Sequence, residues 1–163
     1  MAIWYEVVPD DKEIDTFIKG NWEFHDFRIE RIEYIPSKGM AEVFLKYDTN
    51  REGRLLKFFE VSGIGINTQR DYRESFIFGC STIRLEDETL IWLDDDDWGA
   101  EEKNHLDEVK TYATWIQSKR IVWAVTDGDG LPVEMPESMK HQVWSIFGKV
   151  EQHDFDFKEY EEV

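Results

Sequence analysis

A histidine stands next to an aspartate twice in this sequence, in His25-Asp26-Phe27 and again in His153-Asp154-Phe155. An imidazole beside a carboxylate can act as a general base or bind a metal ion. If the two tripeptides met, His25, Asp26, His153 and Asp154 would form a two-histidine, two-carboxylate centre for a metal-dependent hydrolase or lyase. Neighbouring residues of a strand point to opposite faces, however, so each pair would offer such a centre one ligand rather than two. A local role fits better: Asp26 turns the backbone into a following strand, and His25 satisfies a nearby hydrogen bond.

The run Asp94-Asp95-Asp96-Asp97 is the second candidate. Calcium takes six to eight oxygen ligands, and its helix–loop–helix sites space them as D-x-[DN]-x-[DN]-G with a closing Glu. Neither this run nor Asp127-Gly-Asp-Gly130 has that spacing; the fifth position from Asp127 is Leu131. A solvated acidic turn is expected. If the run has a function, Trp92 and Trp98 beside it suit a protein-binding epitope of Asp94, Asp95, Asp96, Asp97, Trp98, Glu101 and Glu102. Tryptophan anchors interfaces, and the acids would meet Lys or Arg of a partner.

Other catalytic signatures are missing from the sequence. It contains no G-x-S-x-G, no G-x-x-x-x-G-K-[ST] and no H-E-x-x-H. Val61-Ser-Gly-Ile-Gly-Ile66 holds a G-x-G but no third glycine and no following helix. Cys80 is the sole cysteine, with no nucleophile motif around it, and its apolar surroundings suit a buried structural thiol. No catalytic residue and no cofactor is expected.

The charge balance narrows the partners. Asp and Glu number 36 against 19 Lys and Arg, a formal net charge of −17. That field repels nucleic-acid phosphates and anionic lipid headgroups, and attracts a basic protein surface. Direct nucleic-acid or membrane binding is therefore not expected. The first residues lack the basic start and apolar stretch of a signal peptide, which makes the cytoplasm the default compartment.

These residues must be positioned by a fold rich in aromatics, with seven Trp, six Tyr and eleven Phe in 163 residues, enough chain for one domain over 1–163. Residues 3–8 read as a strand closed by Pro9. Asp10 and Asp11 are N-caps for a helix whose stripe is Ile14, Phe17 and Ile18, stopped by Gly20 and Asn21. Strands are expected at 27–35, 41–48 and 55–61, a three-stranded meander, with a turn at 36–39 and a loop at 50–53. Gly63 and Gly65 suggest a bulge or a close backbone approach. Residues 76–85, apolar on both faces, predict a central strand, and Asp87-Glu88 turns it into 90–93. Residues 100–109 read as a helix or a charged excursion, 112–117 and 121–125 as two strands, and 127–130 as a hairpin turn. Met139, Val143, Trp144 and Phe147 fall at helical spacing, which predicts a helix over 138–147 stopped by Gly148, with a last strand in 150–157. The sum is an α+β, β-dominant fold: a mostly antiparallel sheet assembly, a β-sandwich or strongly curved meander, with two or three short peripheral helices.

Trp22-Glu-Phe-His-Asp-Phe-Arg-Ile-Glu-Arg-Ile, Val43-Phe-Leu-Lys-Tyr and Leu56-Lys-Phe-Phe-Glu-Val together resemble a pattern of small bacterial proteins. In these an F-H-D-x-x-I segment opens a β-meander. Ile91-Trp-Leu-Asp-Asp and Ile121-Val-Trp-Ala-Val look like the closing strands of that pattern. Some such proteins are similar to immunity proteins of polymorphic toxin systems, which bind a toxin and block it without chemistry. The resemblance covers most of residues 22–125 and carries over no catalytic residue. It implies a non-catalytic protein-binding module, an immunity-type inhibitor occluding a basic partner surface. A metal-dependent hydrolase or lyase and a self-associating domain (a homo-oligomer) are the alternatives.

Overall fold

The computed structural model describes residues 3–47, 52–67, 81–84, 87–94 and 106–161. Its strands are β1 (Trp4–Val7), β2 (Phe27–Ile35), β3 (Met40–Tyr47), β4 (Glu52–Gly65), β5 (Ser81–Arg84), β6 (Leu90–Leu93), β7 (Trp115–Asp127), β8 (His141–Ile146) and β9 (Lys149–Asp154). The helices are α1 (Asp11–Gly20) and the single turns α2 (Leu106–Val109) and α3 (Glu137–Lys140). The fold is thus β-dominant and antiparallel, with three short helices among the described residues. None of those helices is long and apolar enough to cross a membrane.

Seven strands form one sheet in the order β2-β3-β4-β7-β6-β5, and β1 also pairs with β7. The expected meander is β2-β3-β4. Strand β7 is the spine. β4 lies along one edge of it, while β6 (at Trp115 to Ser118) and β1 (at Ile121 to Ala124) share the other. Residues 158–160 then close the free edge of β1: Glu6 N donates to Lys158 O, and Tyr160 N to Trp4 O.

Burial follows from strand alternation on both faces. One face joins Val43, Leu45, Leu56, Phe58, Trp92 and Trp123 to Ile14 and Phe17 of α1 in the main core. The other packs Ile91 and Leu93 against Val109 and Ala113. Helix α1 begins as expected, with Asp10 accepting from Lys12 N at 3.0 Å and Glu13 N at 3.2 Å. Asp10→Ala should cost about 1 kcal/mol, the ordinary worth of such a cap, read as a lowered thermal midpoint.

Several local expectations are corrected. β4 begins at Glu52, so Glu52 and Gly53 are strand rather than loop. The bulge or close approach expected at Gly63 and Gly65 is present: the β4 register shifts between Val61 and Gly63, and the Trp115 ring lies so close to both glycines that a Cβ at either would overlap it. Among the described residues, 81–84 form an edge strand and not a central one; 76–80 and Leu85 lie outside the described residues, as does Cys80. β7 is one strand of 13 residues where two were expected.

The largest difference is at 138–147. Only Glu137–Lys140 is helical, and β8 and β9 make a hairpin standing apart from the main sheet. Val143, Trp144 and Ile146 prefer strands, and the loop between Ile146 and Lys149 is Phe147-Gly148, with φ of +50° and +78°. Positive φ at both loop residues is the type I′ pattern, whose twist matches a two-stranded ribbon.

Candidate functional site

The four His/Asp candidates occupy two unrelated places. His25 and Asp26 lie in the turn leading into β2, exposed, with His25 Nδ1 3.1 Å from Asp26 Oδ2. This turn is strained: Trp22, Glu23, Phe24 and Asp26 all have φ between +53° and +66°. Left-handed backbone costs a residue with a side chain roughly 1–2 kcal/mol. Buried groups hold it in place. Phe24 is enclosed by Phe17 and Phe27. Asn21 is fully buried, its Nδ2 donating to Phe17 O (2.8 Å) and its Oδ1 accepting from Arg54 Nε (2.7 Å).

Arg54 is itself fully buried in the main core. Its Nη1 donates to Gly53 O at 2.8 Å and reaches Glu52 at 3.5 Å, and its guanidinium lies 5.2 Å from the centre of the Phe27 ring. Burial pulls its pKa down from the ordinary arginine value, and Glu52 opposes that shift. Nothing in the sequence marks this strand arginine as interior.

His153 and Asp154 sit at the end of β9 and point to opposite faces. The His153 ring stacks on Trp144 with centroids 3.9 Å apart, and its Nε2 lies 3.1 Å from Glu151. Asp154 instead meets His141 Nδ1 at 2.9 Å. Hydrogen bonds from His141 and then Gln152 hold its carboxyl below the usual carboxylate range. Among the described residues no three His, Cys, Asp or Glu side chains group to hold a metal, so His25, Asp26, His153 and Asp154 do not form the shared centre.

Of the acidic epitope, Asp94 is described, and it is buried rather than presented to a partner. Its backbone N donates to Thr114 O at 3.0 Å, and its Oδ1 accepts from Thr114 N at 2.8 Å, pinning the end of β6 to the approach to β7. Trp92 is also core, with its ring 5.9 Å from that of Phe58. Asp95, Asp96, Asp97, Trp98, Glu101 and Glu102 lie outside the described residues.

The feature that sequence reasoning missed is the β8–β9 hairpin. Val143 and Val150 are diagonal neighbours on one of its faces and are 68% and 73% exposed. Ile146 is half exposed near the tip, and Phe147 projects fully into solvent from its left-handed position. The opposite face is rooted. Gln142 Nε2 donates to Gly20 O (2.8 Å) and Met139 O (2.9 Å), and Gln142 Oε1 accepts from Trp144 Nε1. Phe155 and Phe157 continue the ring contacts from Trp144 to Trp123 in the core. The missed signal is Phe147-Gly148 directly after a run rich in β-branched and aromatic residues (Val143, Trp144 and Ile146), with Val150 opening the next run.

Comparison of the chain with protein-family models, with curated proteins and with solved structures gave no match.

Proposed function

We infer that this chain is a non-catalytic protein-binding module that occludes a basic surface on another protein, in the manner of an immunity-type inhibitor. The observation that carries this reading is a rooted hairpin exposing Val143, Ile146, Phe147 and Val150 on a chain of net charge −17. A lone two-stranded hairpin is marginal in water. Exposed apolar side chains on one are an ordinary device for docking and an unfavourable one for solubility. Charge would speed the encounter, and apolar contact would hold the complex. The cytoplasm is the compartment this reading assumes.

The test is affinity capture with the full chain as bait at low and moderate salt, followed by titration of the retained protein in purified form. A basic partner is expected, with association slowing as salt rises because steering is screened beyond about 8–10 Å. Replacing Asp95, Asp96 and Asp97 together by Asn or Ser should weaken binding about tenfold if that run joins the contact. Unchanged affinity removes the run from the epitope. Failure to retain any basic protein at either salt overturns the function itself.

A further inference from the structure

We propose that the hairpin tip is the anchor of the interface, with Phe147 seated in an apolar pocket of the basic partner and Val143 and Val150 covering the pocket's rim. The proposal rests on the protein-binding reading above and adds to it the residue that seats the complex.

The argument starts from a local conflict. Position 147 has φ +50° in a two-residue loop, where Asn followed by Gly is the favoured pair and a large aromatic is disfavoured. The folded chain recovers nothing from the ring, which is fully exposed. Phe147 thus opposes the turn it occupies and contributes no packing. Sites where a residue contradicts its own backbone without a folding return are where function is expected.

The ring also stands on a firm base. Gln142 fastens β8 to the end of α1 and to α3, and the stack of Trp144 on His153 stiffens the strand pair behind the tip. A rigid aromatic held at the end of a ribbon loses little freedom on binding, which suits an interface anchor. Charge selects the occupant. Lys149 is the one Lys or Arg of the two strands and stands at the tip; Glu151 is exposed beside His153, and at the hairpin root Asp154 lies beside His141 and Glu137 beside Lys140 and His141, while the whole chain carries −17. A second copy would bring the same acidic field and be repelled; a pocket bordered by Lys and Arg would be attracted.

Phe147→Asn separates binding from folding, because Asn suits the left-handed position. The variant should slow hydrogen exchange of the β8 and β9 amides, yet lower affinity for the retained basic protein at least tenfold. Leu131→Asn, at an exposed apolar site outside the hairpin, should leave affinity unchanged. Faster exchange in Phe147→Asn overturns the claim that Phe147 opposes its turn. Wild-type affinity in that variant overturns the anchor while leaving the protein-binding function standing, whereas no basic partner for the wild type removes both. A wild-type dimer that Phe147→Asn dissociates, seen by light scattering, shows the occupant to be a second copy and overturns the proposal.

Discussion

Arg54→Ala should destabilise the protein by about 4 kcal/mol, a large part of the roughly 5–15 kcal/mol that holds a domain folded. Three losses add up. A cavity opens beneath the Phe27 ring; Asn21 Oδ1 and Gly53 O lose their buried donor; and the left-handed turn at Trp22–Phe24 loses the bond that fixes Asn21 at its start. Arg54→Met separates these contributions. Methionine fills most of the volume but donates no hydrogen bond, so about half the loss should remain. Urea unfolding checks both variants, as a shifted midpoint with an unchanged slope. If Arg54→Met matched the wild type, packing alone would account for the residue.

Trp123→Ala should cost about 3–5 kcal/mol, the range for removing a large aromatic from a core. Its ring lies 5.4 Å from Tyr5 of β1, 5.6 Å from Phe17 of α1 and 5.4 Å from Phe157. One side chain thus joins β1, α1 and the C-terminal segment to the sheet. The thermal midpoint should fall by several degrees or more. Amide protection at Glu6 and Tyr160 should fall further than at the β2–β3 pair, which β4 separates from β7. Equal loss everywhere would mean that Trp123 has no special hold on the C-terminal segment.

The parts legible in the sequence are those set by neighbouring residues. Asp10 caps, Ile14 and Phe17 bury one helical stripe, and the alternation in 41–47 fits its strand, because each depends on local geometry. The glycines at 63 and 65 were legible as a close approach, though not Trp115 as what approaches. Tertiary pairing decided the rest. Ser118, Lys119 and Arg120 divide what looks like two strands, yet β7 runs through them, at the point where its edge partner changes from β6 to β1. The spacing of Met139, Val143, Trp144 and Phe147 suits a helix, but β-branched and aromatic content and the following glycine favour a ribbon. At the candidate site, the inward Asp94 depends on Thr114, twenty residues away, and no local pattern encodes that contact.

Strand β1 is held between residues 121–124 and residues 158–160. During synthesis it leaves the ribosome first among these and finds its first partner only after more than a hundred further residues. Until then its backbone groups are open to other chains, and Tyr5 and Val7 have no core to enter. Pairings so distant along the chain form slowly, since a long loop must close before any contact rewards it. The final assembly of this sheet is therefore a late event, completed only after residues 121–124 and 158–160 have been made. The interval before that closure is when the chain is most open to aggregation and most dependent on whatever shields nascent strands.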